Sequence, residues 1–270
     1  MGNPVAHSKS PQIHQAFASQ TSQLLDYQSI LVPLGQFDRA VFAFREAGGN
    51  GLNVTVPFKE DAWKISTVLT DRARIAGAVN TLSFTEKGDI KGDNTDGAGL
   101  LRDLERNAMP VTGSRVLILG AGGAVRGILA PLLEKKPDSV VIANRTLARA
   151  EGLMQEHNYF PKLNVYQMDA LSEAGSFDLI INAISSGLTG DLPLLPGTLI
   201  SNQTCCYDMV YGNVETVFVK WARQHAAKLA VDGLGMLVEQ AAEAFYIWRG
   251  VRPVTLPVIE KLRRQGQNQG

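Results

Sequence analysis

Two short polar segments carry a lysine and an acid suited to proton transfer. Lys59 closes the segment Asn53-Val-Thr-Val-Pro-Phe-Lys59, and Asp96 lies within Gly92-Asp-Asn-Thr-Asp-Gly97. A lysine can protonate an alkoxide as a carbonyl is reduced, while a neighbouring carboxylate holds its ammonium group. Judged by residue type alone, a surface salt bridge between two loops is the more common arrangement. Residues that bind hydroxyls occur in and near these segments and favour a polyol ligand: Asn53, Thr55, Asn80, Asn94 and Thr95.

A glycine-rich turn lies further along the chain. It directly follows the apolar run Val116-Leu-Ile-Leu119 and precedes a helical pattern over 124–135. Glycines in this context let the backbone approach a pyrophosphate, whose charge meets the N–H groups at the helix N-terminus. We therefore predict a nucleotide site rather than an ordinary turn. Its residues are Gly120, Ala121, Gly122, Gly123 and Ala124.

The end of the next predicted strand indicates which nucleotide is bound. An NAD site usually places Asp or Glu there, to accept a hydrogen bond from the ribose 2′-hydroxyl. This chain has Asn144, Arg145 and Thr146 instead, with Arg149 nearby. The guanidinium group of arginine can bind a phosphate dianion through two hydrogen bonds, and NADP has a phosphate at the ribose 2′ position. We therefore predict NADP as the cofactor. If Thr146 starts a helix, the two arginines share one face. The competing interpretation is a solvated basic turn.

Composition narrows the class of protein and of partner. The 270 residues suffice for two domains, and the formal net charge is zero with no basic cluster, which favours a small molecule over nucleic acid or an anionic membrane. The absence of a leader pattern and of long apolar runs predicts a soluble, cytoplasmic protein. Adjacent Cys205 and Cys206 are expected to be buried thiols. His7 and His14 have no metal-ligand cluster around them, so no metal site is predicted.

The apolar periodicity alternates between strand-like and helical runs. This pattern predicts an α/β fold with a mainly parallel sheet. Predicted strands cover 27–34, 51–56, 80–84, 89–92, 116–119, 139–143, 163–166, 177–183, 205–209 and 229–231. Predicted helices cover 11–20, 36–47, 57–66, 96–107, 124–135, 234–248 and a segment from about 255. Lys59 would then lie in the opening turn of a helix just after a strand, where α/β sheets present functional groups.

Ser8 and Ser10 precede the first predicted helix. Two hydroxyls so placed can bind an anion or cap the helix, and capping alone requires only one of them.

Seven motifs, taken in order, resemble those of the shikimate dehydrogenase family over essentially the whole chain. Each motif alone is weak, but their common order makes chance agreement negligible. The motifs are Gly2-Asn-Pro-Val-Ala-His-Ser-Lys-Ser-Pro11, Asn53-Val-Thr-Val-Pro-Phe-Lys59, Gly77-Ala-Val-Asn-Thr81, Gly92-Asp-Asn-Thr-Asp-Gly97, Gly120-Ala-Gly-Gly123, Asn144-Arg-Thr146 and Asp232-Gly-Leu-Gly-Met-Leu237.

The resemblance implies a reversible, NADPH-dependent reduction of 3-dehydroshikimate to shikimate in aromatic amino-acid (chorismate) biosynthesis. It implies an N-terminal α/β substrate domain (1–97) completed by C-terminal helices (234–270), around a Rossmann NADP-binding domain (98–233) with a parallel sheet. The expected assembly is a monomer or a homodimer.

The resemblance also implies roles for individual residues. Lys59 would donate or accept the proton, with Asp96 as its hydrogen-bonded partner, and Gly233 would contact the cofactor. The implied substrate-binding residues are Ser8, Ser10, Thr55 and Tyr211 at the carboxylate, and Asn53, Asn80 and Gln240 elsewhere in the site, the last two at the hydroxyls.

One departure from the family pattern concerns the N-terminus. Family members usually have a further short strand before the Gly-Asn-Pro turn, whereas Met1 directly precedes Gly2 here. We expect lower thermal stability than for a version extended by about six residues, because an unpaired sheet edge loses ladder hydrogen bonds. Equal melting temperatures of the two versions would contradict this expectation.

Two alternative functions remain open at the level of sequence. One is a quinate/shikimate dehydrogenase with relaxed use of NAD and NADP, against which Asn144, Arg145 and Thr146 argue. The other is a non-catalytic NADP-sensing or scaffold protein, against which the intact pair of Lys59 and Asp96 argues.

Overall fold

Two β-sheets organise the chain in the computed structural model, which describes residues 1–184 and 192–267. The strands are β1 (Gly51–Asn53), β2 (Val68–Leu69), β3 (Thr81–Phe84), β4 (Ile90–Asp93), β5 (Arg115–Leu119), β6 (Ser139–Asn144), β7 (Leu163–Gln167), β8 (Leu179–Asn182), β9 (Cys205–Asp208) and β10 (Leu229–Val231). One sheet has the order β1-β3-β4-β2 and the other β10-β9-β8-β5-β6-β7. The predicted α/β fold class is confirmed.

Helices connect and cover these strands. They are α1 (Ser10–Gln20), α2 (Phe37–Glu46), α3 (Lys59–Ile65), α4 (Asp71–Ala76), α5 (Asp96–Arg106), α6 (Gly123–Glu134), α7 (Leu147–Glu156), α8 (Val217–Gln224), α9 (Leu234–Arg249) and α10 (Leu256–Gln267). Short 3₁₀ helices cover Met168–Glu173 and Gly197–Leu199. None of the helices in the described ranges combines the length and the apolar character needed to cross a membrane.

The six-stranded sheet is parallel throughout and buried on both faces. Alternate residues of β5 enter different cores: Val116 and Ile118 pack on one side of the sheet, Leu117 and Leu119 on the other. A strand covered on both faces needs apolar residues at every position, which explains the uninterrupted apolar run of the sequence. Strand β9 of the same sheet contains Cys205 and Cys206, which are buried free thiols as predicted.

The four-stranded sheet is mixed, which corrects the expectation of a mainly parallel arrangement for this part of the chain. β3 pairs antiparallel with both β1 and β4, and only β2 runs parallel to β4. The reason is the short connection after β3, where the N–H of Thr85 donates to the carbonyl of Asp89. A hairpin of this length joins antiparallel strands, whereas a parallel pair needs a long crossover.

The predicted strand over 27–34 is wrong. In the described structure this segment makes a single parallel bridge, between Leu31 and Gly2. The Gly2 N–H donates to the Ile30 carbonyl, and the Val32 N–H donates to the Gly2 carbonyl. Val32 is fully buried in the core beneath the four-stranded sheet. The apolar pattern therefore reflects packing of a few side chains, without the repeated pairing that makes a strand.

The helix predicted from Pro57 begins two residues later, at Lys59. The Phe58 N–H donates to the Thr55 carbonyl and closes a turn before the helix starts. Pro57 therefore lies within the turn, and Lys59 becomes the first residue of α3.

Three helices from the two ends of the chain share one core. Phe17 of α1, Phe245 of α9 and Leu262 of α10 are all buried in it. α9 also packs closely on α5, because Gly99 lacks a side chain: a Cβ there would lie 2.8 Å from the Gln240 nitrogen and 2.9 Å from the Met236 carbonyl oxygen. This close approach brings the second turn of α9 against the start of α5.

Three arginines form ion pairs with a buried carboxylate on α9. Oε2 of Glu243 accepts from Arg102 and Arg252 at 2.8 Å each, and Oε1 accepts from Arg72 at 3.2 Å. Burial by itself would raise the pKa of Glu243, but Arg252 and Arg102 outweigh it and lower the pKa to about 2. The cluster therefore stabilises the junction of α4, α5 and α9 as long as Glu243 is ionised.

The Glu243→Gln variant is expected to lose stability at neutral pH. The folded-state pKa lies below the ordinary value of 4.5, so the stabilisation is complete above pH 4.5 and is lost as the pH falls towards about 2. We expect a deficit of about 3 kcal/mol in the free energy of unfolding at pH 7, and a smaller one at a pH of about 3.5. Urea unfolding at both pH values measures this deficit in the free energy of unfolding. The exposed Glu105→Gln serves as control, and an equal deficit at both pH values would contradict the prediction.

Candidate active site

The predicted proton-transfer pair is brought together by two helix N-termini. Lys59 is the first residue of α3 and Asp96 the first residue of α5. Nζ of Lys59 lies 2.5 Å from Oδ2 of Asp96, and the two side chains are only 16% and 6% exposed. Shielding from water strengthens the ion pair, so the pair differs from an ordinary surface salt bridge.

Asn80 joins this pair to α9. Its Nδ2 lies 2.8 Å from Oδ1 of Asp96, 2.9 Å from the Thr95 hydroxyl and 3.3 Å from Oε1 of Gln240. Its Oδ1 accepts the Thr95 N–H at 2.9 Å, and the Thr81 hydroxyl at the same distance. Both ends of the amide are thus fixed, which fixes the Asp96 carboxylate in turn. The structure therefore brings together four of the predicted residues: Lys59, Asp96, Asn80 and Gln240.

The turn that carries Asp96 is held by an arginine that the sequence did not point to. Nε and Nη2 of Arg72 bind the two oxygens of Asp93, at 2.6 and 3.0 Å. Oδ1 of Asp93 also accepts the Thr70 hydroxyl at 2.8 Å and the Asn94 N–H at 2.7 Å. Oδ1 of Asn94 then accepts the Asp96 N–H at 3.1 Å. A bidentate arginine contact fixes a carboxylate firmly, so the turn is rigid before any ligand binds.

Tyr27 is a second residue that sequence reasoning missed. Its hydroxyl donates to Oδ1 of Asn53 at 2.9 Å and also interacts with the Ser10 side chain. Nδ2 of Asn53 donates to the Asn80 carbonyl at 3.2 Å and to the Thr81 hydroxyl at 3.1 Å. Tyr27 therefore links the predicted residues Ser10 and Asn53 to the surroundings of Lys59. A tyrosine in a segment taken as a strand gave no signal of this role.

The aromatic surroundings of Tyr27 are uncharged. His14 stacks on the Tyr27 ring, with ring centroids 4.2 Å apart, and is fully buried. Burial lowers the pKa of His14 to about 3, so the imidazole is neutral at physiological pH. Burial also raises the pKa of Tyr27 and keeps its hydroxyl protonated. Hydroxyl and amide groups therefore provide the polar contacts in this part of the site.

The remaining predicted substrate residues lie on three turns. Ser8 precedes α1, and its hydroxyl accepts the Ser10 N–H at 3.3 Å. Thr55 is exposed on the turn between β1 and α3. Tyr211 follows β9 and packs against the core that α1, α9 and α10 share. Burial raises the pKa of Tyr211, so its hydroxyl stays protonated and can donate a hydrogen bond. The Ser8 hydroxyl thus binds the first backbone N–H of α1, while the Ser10 hydroxyl interacts with Tyr27.

The glycine-rich turn has the shape expected for a phosphate site. Gly120 adopts a φ of 109°, a conformation that favours glycine, and a Cβ there would lie 3.1 Å from the Ala183 carbonyl oxygen. α6 begins at Gly123 with Gly122 as its N-cap, and both glycines face open space. Ala121 and Ala124 complete the turn and are half-buried. N–H groups of this helix end that lack a hydrogen-bond partner among residues 1–184 and 192–267 can receive a pyrophosphate.

The segment after β6 presents two arginines to solvent. Arg145 and Arg149 are both exposed, and in residues 1–184 and 192–267 neither side chain makes an ion pair or hydrogen bond. Nδ2 of Asn144 donates to the Thr146 carbonyl at 2.8 Å and shapes the turn. Thr146 is the N-cap, and α7 starts at Leu147. Arg145 therefore precedes the helix, and the expected common helical face of the two arginines is not formed.

Gly233 occupies a crowded position at the N-cap of α9. Its N–H donates to the Val210 carbonyl at 3.1 Å, and its carbonyl accepts the Leu237 N–H at 2.9 Å. A Cβ on Gly233 would lie 2.5 Å from the Met209 carbonyl oxygen. The glycine thus allows α9 to approach the turn that carries Tyr211. Both of its backbone polar groups already have partners within the protein.

The helix that begins with the glycine-rich turn carries a third arginine. Arg126 binds Glu156 through two nitrogens, at 2.6 and 3.0 Å. This contact ties α6 to the end of α7, and engages Arg126 within the protein.

Comparison with known proteins covers nearly the whole chain. The family described as shikimate dehydrogenase substrate binding domain matches residues 1–82. The family described as shikimate / quinate 5-dehydrogenase matches 103–189, and the shikimate 5'-dehydrogenase C-terminal domain matches 233–263. The three matches follow the order of the sequence motifs.

Individual relatives agree with these matches. A protein from Alkalilimnicola ehrlichii named shikimate dehydrogenase (NADP(+)) is 56% identical over 264 residues, covering 97% of each chain. One of the same name from Cellvibrio japonicus is 52% identical, covering 98% of this chain and 95% of the other. The crystal structure of shikimate 5-dehydrogenase from Thermus thermophilus in complex with NADP(H) and shikimate has a TM-score of 0.86 at 32% identity, covering 98% of this chain and 97% of the other. The chain therefore belongs to the shikimate dehydrogenase family.

Proposed function

We propose that this chain catalyses the reversible NADPH-dependent reduction of 3-dehydroshikimate to shikimate, a step of aromatic amino-acid biosynthesis. The observation that carries the proposal is the shielded contact of Lys59 with Asp96, supported by Asn80 and Gln240. A carbonyl reduction requires a proton donor near the carbonyl oxygen, and this pair supplies one. Identity above 50% to NADP-dependent shikimate dehydrogenases over nearly the full length supports the substrate and the cofactor.

Lys59 is the proton carrier of the proposed reaction. The Lys59 ammonium donates its proton to the carbonyl oxygen during reduction and recovers one in the reverse direction. Bound NADPH supplies the hydride that adds to the carbonyl carbon. Asp96 holds the ammonium through Oδ2, while Asn80 engages Oδ1. Asp96 is therefore an orienting partner, because its own position is fixed by the protein before a ligand binds.

The substrate is proposed to span the polar surface between α1, α3 and α9. Its carboxylate is received by hydroxyls, and its ring hydroxyls by amides near Lys59. The linkage of Ser10 to Asn53 through Tyr27 supports one continuous binding surface. We assign Ser8, Ser10, Thr55 and Tyr211 to the carboxylate, and Asn53, Asn80 and Gln240 to the rest of the substrate.

NADP is proposed to lie across the carboxyl ends of β5 and β6. The residues fit this ligand. The turn before α6 has open space beside Gly122 and Gly123, and Arg145 before α7 and Arg149 within α7 lack an ion pair in the described structure. Arg145 and Arg149 receive the 2′-phosphate. The pyrophosphate is received by Gly120, Ala121, Gly122, Gly123 and Ala124, next to Asn144 and Thr146; Gly233 lies near the nicotinamide end.

We assign residues 1–97 and 234–270 to a substrate-binding catalytic domain and residues 98–233 to a Rossmann NADP-binding domain. The separate sheets and the core shared by α1, α9 and α10 support this division. We further propose a cytoplasmic enzyme, active as a monomer or homodimer, without a nucleic-acid partner. Zero net charge supports the last point.

Initial rates of the purified protein test the proposed function directly. Shikimate with NADP should give NADPH formation, while quinate and NAD, varied one at a time, should give lower kcat/KM. Comparable kcat/KM for NAD and NADP would favour a shikimate/quinate dehydrogenase of relaxed specificity. Cofactor binding without turnover on either substrate would overturn the proposal in favour of a non-catalytic protein.

A further inference from the structure

A glycine of the nucleotide-side helix lies directly against the catalytic carboxylate. Gly127 is in α6, one helical turn beyond Gly123. A Cβ built on Gly127 would lie 3.0 Å from Oδ2 of Asp96 and 2.8 Å from Oδ1 of Asn94. Separations of this size are shorter than ordinary van der Waals contact, so the two side chains leave no room for a side chain at position 127. Oδ2 is the oxygen that contacts Lys59.

The contact is reciprocal between the two helices. A Cβ on Gly97, the residue after Asp96, would lie 2.8 Å from the carbonyl oxygen of Gly127 and would also meet the ring of Pro131. The start of α5 therefore packs closely on the second and third turns of α6, because Gly97 on α5 and Gly127 on α6 both lack a side chain. Such close packing leaves Asp96 little freedom to move relative to α6.

The N-terminus of the same helix is the proposed phosphate site. Gly123 and Gly127 are four residues apart, so about 6 Å of helix separates the N–H groups that face the pyrophosphate from the contact with Asp96. One rigid element thus connects the cofactor site to the proton-transfer pair. Movement of the α6 N-terminus would carry Gly127 against, or away from, the carboxylate.

We infer that Gly127 is a positioning residue of the reaction: α6 fixes the Asp96 carboxylate against Lys59 through the bare backbone at position 127. This inference rests on the proposed function. A methyl group at 127 displaces the carboxylate or the Asn94 amide by a few tenths of an ångström. Both groups are held by hydrogen bonds, so the displacement is transmitted to the Lys59 contact. Cofactor binding, which uses the turn before Gly127, is left intact.

Gly127→Ala tests this inference against simple helix packing. We expect kcat for shikimate oxidation to fall about ten-fold, because small misplacements of a catalytic group are costly. KM for NADP should stay within about two-fold of wild type, and the solvent deuterium isotope effect on kcat should increase because proton transfer becomes slower. Gly152→Ala on α7, where a Cβ meets nothing within 4 Å, is the matched helix-glycine control and should keep wild-type kinetics.

A second pair of variants keeps the test decisive if Gly127→Ala does not fold. Asn94→Ala removes the closest neighbour of the added methyl group and keeps its close approach to Oδ2 of Asp96. Adding Gly127→Ala to Asn94→Ala should then lower kcat several-fold further, whereas an unchanged kcat overturns the inference. A rise in KM for NADP with an unchanged isotope effect would also overturn it, because this pattern indicates separation of the helices.

The inference and the proposed function fail in different ways. An inactive wild-type protein overturns both. An active wild-type protein with an equally active, folded Gly127→Ala variant overturns only the role of Gly127.

Discussion

Replacing Lys59 by alanine is expected to lower kcat for shikimate oxidation by about 10²- to 10⁴-fold, the usual contribution of a general acid–base group. KM for shikimate should change far less, because Asn80, Gln240 and the hydroxyl-bearing turns remain. The fold should survive, since Asp96 keeps its bond to Asn80 and its place at the N-terminus of α5. Steady-state kinetics with saturating NADP measure both constants.

Lys64→Ala supplies the control for this experiment. Lys64 lies on the same helix as Lys59, but its side chain is 66% exposed and pairs only with Asp61, at 3.4 Å, in the described structure. Its loss removes the same charge from α3 without reaching the proposed site, so its kcat should equal that of wild type. A Lys59→Ala variant that retains kcat within a factor of a few would show that the proton is carried by another group.

The nucleotide side of the fold was predictable because its signals are local. β5 is a continuous apolar run buried on both faces, and the turn that follows it contains the glycines that its geometry requires. The start of α6 at Gly123 lies within one residue of the prediction. Each of these features is encoded by neighbouring residues, which is why periodicity and turn chemistry suffice.

The connections of the candidate site were not predictable in the same way. Asn80 contacts Gln240, which lies 160 residues later, and Tyr27 reaches Asn53 across 26 residues. No local pattern encodes contacts of this kind, because they depend on how whole elements pack. The family resemblance could nominate Asn80 and Gln240 as site residues, but Tyr27 and Arg72 required the structure.

The prediction of secondary structure failed where the elements are short. β2 has two residues and α4 has six, too few to show a period, and neither was predicted. α8 has a clearer signal: Thr216 accepts the Val219 N–H as its N-cap, and Phe218 is buried on its inner face. A threonine before an amphipathic run is a recognisable helix start. The sequence therefore contains enough signal to predict α8, whereas β2 and α4 are too short to show a period.

Replacing Arg145 by alanine is expected to raise KM for NADP by about 10- to 100-fold and to leave KM for NAD nearly unchanged. A hydrogen bond to a charged group contributes about 1.5 to 3 kcal/mol, which corresponds to that range. NAD lacks the 2′-phosphate and gives Arg145 nothing to bind. The preference for NADP over NAD, taken as the ratio of kcat/KM values, should therefore collapse by the same factor.

Arg149→Ala separates the contributions of the two exposed arginines. Because Arg145 precedes α7 and Arg149 lies within it, the two guanidinium groups approach the phosphate from different elements, and we expect each single loss to be partial and the double loss to be larger. Arg223→Ala, an exposed arginine of α8 paired with Glu215, controls for the change in net charge. Equal losses with NAD and NADP would place Arg145 at a part common to both cofactors and would refute the 2′-phosphate role.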